Sequence, residues 1–263
     1  MSTAPQTRLE CEKVSRDFGG LRAVTDFCLC VAPGELVGLI GPNGAGKTTA
    51  FNVITGVYPP TRGEVFFNGQ RIDGRSPVEI NRAGIARTFQ NIRLFQNLTV
   101  LDNVIVAFNR SAEHGLLGTI LRTPRFARER AQAESDGMDL LRTLQLDDQA
   151  GFIARNLPYG DQRRLEIARA LATGPKILLL DEPAAGMNPQ EKMELMQLIR
   201  FIRDRFQLGI LLIEHDMKLV MSICEKITVL DHGETIAVGT PEEIQNNPDV
   251  IEAYLGEPVG GDA

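Results

Sequence analysis

Several features that define other classes of protein are missing from this sequence of 263 residues. Apolar runs such as Ile177 to Leu180 and Ile210 to Ile213 have the length of a strand, far below the about 18 residues of a membrane-spanning helix. The first ten residues are polar and lack the apolar core of a secretory signal. The net charge of -6 lacks the basic excess typical of nucleic-acid binding. We therefore expect a cytoplasmic protein whose partners do not include nucleic acid.

The sequence has only four cysteines, at positions 11, 28, 30 and 224. Cys28 and Cys30 alternate along a predicted strand, which would place them on one face. A zinc site would need a second pair of Cys or His residues nearby, and none follows them. We therefore expect buried, reduced thiols.

The remaining composition, 43% hydrophobic and 24% charged, is typical of a globular protein with a sizeable core. Short apolar strands alternate with amphipathic helices, a pattern that predicts an α/β fold. The runs at 177–180 and 208–213 are apolar throughout, as expected of central parallel strands covered on both faces. We predict one domain over residues 8–256, with flexible tails at 1–7 and 257–263. A mostly helical lobe is expected over about 98–160, inserted between two parts of a mostly parallel sheet.

A glycine-rich segment from Gly41 to Thr48 fits the pattern G-x-x-x-x-G-K-[ST] of phosphate-binding loops. An apolar strand precedes it and a predicted helix follows. The glycines allow a tight fold in which backbone N–H groups point at phosphate oxygens, and the helix N-terminus adds partial positive charge. We expect Lys47 to reach the β- and γ-phosphates of ATP and the Thr48 hydroxyl to bind Mg²⁺. A glycine-rich turn without function is the alternative.

Two adjacent acids, Asp181 and Glu182, end the apolar strand that begins at Ile177. Unpaired buried charge is costly, and a metal ion would supply the missing partner. We expect Asp181 to hold Mg²⁺ through water and Glu182 to act as the general base for the attacking water. Gln90 and His215 also follow predicted strands, Gln90 at the end of a strand over 85–90. Because ligands bind at the carboxyl ends of parallel strands, both are expected near the γ-phosphate.

Together these motifs resemble the ATP-binding subunits of ABC transporters over about residues 8 to 256. The resemblance identifies Gly41 to Thr48 as Walker A, Ile177 to Glu182 as Walker B, and Gln90 and His215 as the Q-loop and the H-loop switch. It implies a P-loop ATPase core with an N-terminal antiparallel β subdomain. It also implies three catalytic residues (Glu182, His215 and Gln90) and three Mg²⁺ ligands (Thr48, Gln90 and Asp181). The implied ATP contacts are Phe18, which would stack on adenine, Val24, Asn43, Gly44, Ala45, Gly46, Lys47, Thr48, Thr49, Tyr159 and Gly160.

The segment from Leu157 to Leu165 departs from the family's usual signature, Leu-Ser-Gly-Gly-Gln. Pro158 stands in place of the serine, Tyr159 in place of a glycine and Asp161 in place of the glutamine. Gly160 and the following helix N-terminus can still donate N–H groups to a phosphate of the facing subunit.

These departures resemble one subclass, the ATPase subunits of high-affinity branched-chain amino-acid importers. The resemblance implies two membrane permeases, a second ATP-binding subunit facing head to tail, and indirectly a periplasmic solute-binding protein. It places the chain at the cytoplasmic face of the inner membrane. The basic insert over 122–130 could approach lipid or permease, or could be a solvated face.

Other functions remain open on sequence grounds. An ABC-type ATPase for another solute or for a lipid would share every motif above. A P-loop GTPase is disfavoured because the chain lacks Asn-Lys-x-Asp. A DNA-repair or translation ATPase usually carries two cassettes or long coiled coils. Neither the transported solute nor the choice between a homodimer and a heterodimer follows from the residues.

Overall fold

A computed structural model describes residues 7–108 and 124–255. They form two compact units, the first reaching to Gln90 and resuming at Lys176, and the second spanning Asn91–Pro175. The second unit is wider than the predicted lobe at 98–160, because the helix Tyr159–Ala172 packs on the other helices of that unit. The insert at 109–123 and, apart from Thr7, the predicted tails lie outside the described residues.

The described residues form strands β1–β10 and helices α1–α9. They are β1 (Leu9–Phe18), β2 (Leu21–Val31), β3 (Leu36–Ile40), α1 (Lys47–Ile54), β4 (Arg62–Phe67), β5 (Gln70–Arg71), α2 (Pro77–Ala83), β6 (Ile85–Arg87), α3 (Val100–Phe108), α4 (Pro124–Thr143), α5 (Tyr159–Ala172), β7 (Ile177–Asp181), α6 (Pro189–Phe206), β8 (Gly209–Ile213), α7 (Met217–Ile223), β9 (Lys226–Asp231), β10 (Glu234–Gly239), α8 (Pro241–Gln245) and α9 (Pro248–Leu255).

The first unit contains an antiparallel sheet of four strands in the order β2-β1-β4-β5. The turn from β4 to β5 is made by Asn68 and Gly69, whose φ angles of 54° and 71° suit a tight hairpin. One face of the sheet is apolar and contributes Leu9, Phe27 and Val65 to the buried core.

A second sheet in the same unit has the order β10-β9-β3-β8-β7-β6, and all its pairs are parallel except β10 with β9. Every residue of β3, β7 and β8 is buried, which explains why these strands are apolar throughout. Because the five parallel strands run the same way, their carboxyl ends share one edge of the sheet. That edge carries the residues that follow Ile40, Arg87, Asp181, Ile213 and Asp231.

The second unit packs α3, α4 and α5 against one another. Leu141 and Leu144, which are three residues apart, are fully buried there. A buried ion pair joins Arg163 Nη1 to Glu166 Oε2 at 2.7 Å. None of the described helices of either unit is long and apolar enough to cross a membrane.

The cysteines differ from expectation. Cys11 and Cys224 are buried, but Cys28 is exposed and Cys30 is half-buried, so the prediction of buried thiols is wrong for Cys28. The reason is strand alternation: β2 turns Phe27 and Leu29 toward the core, which turns Cys28 outward. Burial raises the pKa of the Cys11 and Cys224 thiols.

We therefore predict ordered reactivity toward a thiol reagent, because the thiolate is the reactive form and must be accessible. Cys28 should be modified first in the native protein, and Cys11 and Cys224 only after unfolding in guanidinium. Peptide mapping by mass spectrometry measures each site, and a Cys28→Ser variant should lose the fast phase. Equal labelling of Cys224 and Cys28 in native protein would contradict the burial pattern.

Candidate functional site

The loop from Gly41 to Thr48 leaves the carboxyl end of β3 in a conformation that requires glycine. Gly41 and Gly46 have φ angles of 149° and 99°. A Cβ on Gly41 would lie 2.0 Å from the Leu230 carbonyl oxygen, and one on Gly46 would lie 2.4 Å from the Ala23 carbonyl oxygen. The loop thus lies in close contact with the β2 and β9 backbones. Its last two residues, Lys47 and Thr48, already belong to the first turn of α1, where N–H groups have no intrahelical partner.

Lys47 is buried inside this loop. Its Nζ donates hydrogen bonds to the carbonyl oxygens of Gly41 at 2.7 Å and Pro42 at 2.8 Å. Burial lowers the pKa of the ammonium, while the negative charges of Glu182 and Asp181 oppose that effect. The lysine and the two acids therefore belong to one electrostatic site.

A cavity of about 420 Å³ lies over the loop. Its lining brings together most of the predicted site residues with parts of the neighbouring hairpins. The lining residues are Phe18, Leu21, Arg22, Ala23, Asn43, Gly44, Ala45, Gly46, Lys47, Thr48, Thr49, Glu182, His215, His232 and Gly233. Val24 is placed differently from the prediction: it is fully buried behind the loop, with its Cγ2 3.3 Å from the Cβ position of Gly46. Because successive side chains of β2 point to opposite faces, the Val24 side chain packs against the loop and does not line the cavity.

Phe18 forms one wall of the cavity and is 38% exposed. The Arg16 guanidinium lies 4.6 Å from its ring centroid, and the Tyr58 ring meets it edge-on at 5.2 Å. Cation–π and T-shaped contacts both favour a fixed ring orientation. Phe18 is therefore a rigid aromatic surface suited to stack on a planar base.

Glu182 is held by the two other residues predicted to be catalytic. Gln90 Nε2 donates to Glu182 Oε2 at 2.7 Å, and His215 Nε2 lies 2.6 Å from Glu182 Oε1. Glu182 also adopts a φ of 46°, which is uncommon for a side chain of its size. Gln90 lies three residues beyond β6, which ends at Arg87, so the predicted strand over 85–90 is too long. The chain leaves the sheet there and brings Gln90 to Glu182.

Asp181 is buried and forms an ion pair that sequence reasoning missed. Arg87 Nη2 donates to Asp181 Oδ2 at 2.7 Å, and both side chains are at most 7% exposed. The sequence does contain a signal for this pair. Arg87 directly follows two apolar residues, Ile85 and Ala86, and a charge beside buried strands needs a partner.

Glu214 is a second buried acid beside the site that the sequence did not single out. Its Oε1 accepts a hydrogen bond from the Ala184 backbone N–H at 2.7 Å and so holds the loop that follows Glu182. Burial raises the pKa of Glu214, and the nearby charge of Glu182 adds to that effect.

The proposed Mg²⁺ ligands combine one carboxylate, Asp181, with the Thr48 hydroxyl and the Gln90 amide oxygen. Among the described residues there is no cluster of three or more His, Cys, Asp or Glu side chains fit to hold a metal by itself. Mg²⁺ is usually bound by one or two carboxylates together with waters and substrate phosphates. This oxygen donor set fits a metal that arrives with a nucleotide.

The signature segment lies in the second unit, where α5 begins at Tyr159 directly after Pro158. The Tyr159 hydroxyl accepts from Arg163 Nη2 at 3.3 Å, and Asp161 Oδ2 accepts from Gln149 Nε2 at 2.9 Å. Its unusual side chains are thus bound within their own unit. Gly160 lies in the first turn of the helix, whose N–H groups have no intrahelical partner.

A glycine loop between a buried parallel strand and a helix, with an internal lysine and two acids ending another strand of the sheet, defines a P-loop nucleoside triphosphatase. The family model described as ABC transporter matches residues 24–185. A second model, described as branched-chain amino acid ATP-binding cassette transporter, matches residues 234–259.

Proteins similar to this chain have descriptions consistent with the two family models. The high-affinity branched-chain amino acid transport ATP-binding protein LivG of Escherichia coli is 51% identical over 240 residues, which cover 91% of this chain and 94% of LivG. BraF of Pseudomonas aeruginosa, described in the same words, is 48% identical over 95% of this chain and 98% of BraF. A nucleotide-free ATP-binding cassette from an ABC transporter is 30% identical with a TM-score of 0.82, over 95% of this chain and 100% of that one. This chain belongs to the ABC transporter family as one of its nucleotide-binding, ATP-hydrolysing subunits.

We predict that Glu214→Gln raises stability more at high pH than at low pH. An acid with a raised pKa in the folded state stabilises the fold fully only below its ordinary pKa of 4.5, and that contribution is lost as the pH rises through the raised value. The glutamine has no charge to bury, and its amide oxygen can still accept the Ala184 N–H. The difference in Tm between variant and parent should grow from pH 5 to pH 8. A difference independent of pH would contradict the burial argument.

Proposed function

We propose that this chain energises a membrane importer of branched-chain amino acids by binding and hydrolysing ATP with Mg²⁺. The observation that carries the catalytic part is the position of Glu182 beside the phosphate loop, bound on one oxygen by Gln90 and on the other by His215. An acid held in this way can accept a proton from water without moving far.

Each part of the nucleotide meets a suitable group in the proposed complex. Phe18 stacks on the adenine, and the backbone N–H groups of Asn43 to Thr49 surround the phosphates. Lys47 leaves its two carbonyl partners to bind the β- and γ-phosphates, which compensate for its burial. Thr48, Asp181 and Gln90 would hold Mg²⁺, which supplies positive charge to the phosphates when bound.

Catalysis then depends on the chain's own side chains. Glu182 orients the attacking water and takes its proton at a carboxylate oxygen. Gln90 and His215 fix the two Glu182 oxygens, and Glu214 fixes the backbone that follows through Ala184. The restricted geometry lowers the entropic cost of the reaction.

Hydrolysis is proposed to require a second ATP-binding subunit. Tyr159 and Gly160 at the start of α5 would face the nucleotide of that subunit, with the helix N-terminus directed at its γ-phosphate. Pro158 lacks the usual serine hydroxyl, so backbone N–H groups carry this contact. Phosphate loss removes the charge that joins the subunits, and the dimer opens.

The importer is proposed from the relatives, because an ATP-binding subunit need not touch the solute. LivG and BraF are both described as serving high-affinity branched-chain amino acid transport. The C-terminal match over 234–259 covers β10, α8 and α9, which lie outside the nucleotide motifs. We propose two membrane permeases and indirectly a periplasmic binding protein as partners, with this chain at the cytoplasmic face of the inner membrane.

We predict that Glu182→Gln still binds ATP but hydrolyses it at least about 100-fold more slowly, because the amide cannot accept the proton. Calorimetry measures binding, and phosphate release measures turnover. A matched control is the exposed acid Glu242→Gln in α8, which should hydrolyse ATP at the parent rate. Unchanged turnover of the Glu182 variant would remove Glu182 from the role of base.

We predict that a strain lacking the gene loses high-affinity uptake of labelled leucine and retains uptake of ribose. The intact gene should restore leucine uptake, whereas Lys47→Ala and Glu182→Gln should not, since both remove ATP chemistry and leave the surface unchanged. Normal leucine uptake in the deletion strain would favour an ABC-type ATPase for another solute or for a lipid.

A further inference from the structure

Arg87 occupies a position in the site that the proposed function does not use. We infer that Arg87 is a positioning residue for Asp181. It holds the Asp181 carboxylate in the orientation needed for Mg²⁺ and connects it to α1, the helix that begins within the phosphate loop. The inference rests on the proposed role of Asp181 as the carboxylate for the metal.

The ion pair between the two residues is buried from water. Arg87 Nη2 lies 2.7 Å from Asp181 Oδ2, and the side chains are 7% and 5% exposed. A charged hydrogen bond of this length is among the stronger kinds, and water does not screen it here. Because Oδ2 is engaged by the guanidinium, rotation of the carboxylate is restricted. The other oxygen, Oδ1, would then be the one that holds Mg²⁺ through water.

The other side of the guanidinium is fixed by α1. Nη1 donates to Asn52 Oδ1 at 2.7 Å and lies 3.2 Å from Thr55 Oγ1. The Phe51 ring, also on α1, lies 5.5 Å from the guanidinium carbon, and the Phe89 ring lies 5.0 Å from it. Arg87 is therefore held by hydrogen bonds and by two aromatic rings, so its position is fixed independently of Asp181.

This arrangement connects the two halves of the phosphate site. The helix α1 begins at Lys47 of the phosphate loop; Asn52 lies in this helix, and Thr55 directly follows its last residue. Asp181 ends β7, and the neighbouring β6 places Arg87 opposite Leu179. A metal held by Thr48 and Asp181 would need both side chains at the right separation. Side-chain hydrogen bonds of Arg87 connect Asn52 of α1 to Asp181 at the end of β7.

Stability alone explains this ion pair poorly. A buried pair gains little over an apolar pair of similar shape, because both charges lose their hydration. The ion pair instead fixes the direction of the Asp181 carboxylate at the carboxyl end of β7. Binding of a nucleotide without metal depends on loop N–H groups and Lys47, which Arg87 does not touch. Dependence on Mg²⁺ therefore separates positioning from general support of the fold.

The test measures how a nonhydrolysable ATP analogue binds to Arg87→Met as Mg²⁺ is varied. Calorimetry in EDTA should give an affinity within about twofold of the parent. For each variant, the affinity for the analogue is measured over a range of Mg²⁺ concentrations. The Mg²⁺ concentration at the midpoint of the change in affinity should be at least about tenfold higher for Arg87→Met, because the unpaired carboxylate turns or draws in water. Arg87→Lys keeps a charge but loses the fork of donors, so it should lie between the parent and the methionine variant.

Two further variants complete the design. Asn52→Ala removes one anchor of Arg87 and leaves the ion pair, so it should shift the Mg²⁺ requirement in the same direction by less. If Arg87→Met does not fold, the Mg²⁺ requirement of Asn52→Ala tests the positioning role. Arg142→Met breaks the exposed pair with Asp139, whose side chains are 60% and 68% exposed, and should leave the Mg²⁺ requirement unchanged.

The outcomes are distinct. Equal losses of affinity with and without Mg²⁺ would mean that Arg87 supports only the fold, and an unchanged Mg²⁺ requirement would also overturn the inference. If the parent chain fails to bind the analogue at all, the proposed function fails instead. A selective rise in the Mg²⁺ requirement for Arg87→Met and Asn52→Ala, absent in Arg142→Met, supports the positioning role.

Discussion

The site depends on one constraint, the common direction of five parallel strands. Because β3, β6, β7, β8 and β9 end at one edge of the sheet, residues far apart in the chain meet there. The phosphate loop follows β3, Gln90 follows β6, Asp181 ends β7 with Glu182 directly after it, and His215 follows β8. Each strand is too short and too buried to shift along its neighbours without exposing apolar surface. The register of the sheet therefore sets the distances within the site.

The acids at this edge illustrate how a protein keeps negative charge beside a site for an anionic ligand. Asp181 is paired with Arg87, Glu182 is bound by Gln90 and His215, and the Glu214 carboxylate accepts a backbone N–H. Each acid has a different partner, and we propose a different role for each: Asp181 has a fixed direction for the metal, Glu182 activates water, and Glu214 supports a loop. Lys47 balances them from inside the loop.

The signature segment, Leu157 to Leu165, lies in the second unit, where neighbouring side chains bind two of its unusual residues. Tyr159 and Asp161 depart from the usual family sequence, and both side chains are bound by neighbours within that unit, Arg163 and Gln149. The helix N-terminus needs no particular side chain to attract phosphate, because its N–H groups and dipole belong to the backbone. The departures are thus compatible with the ATP chemistry of the family.

Local sequence determined the phosphate loop, the apolar strands and the hairpin at Asn68, because glycine spacing, strand length and turn residues act over short distances. It also indicated the strand ends at which we propose that ligands bind. Only the tertiary structure decided that Arg87 pairs with Asp181, that Val24 lies behind the loop, and that Cys28 faces outward. Those facts depend on which strand neighbours which and on the direction in which each residue points. Both are set by packing between segments that are distant in the chain, and no local pattern records them.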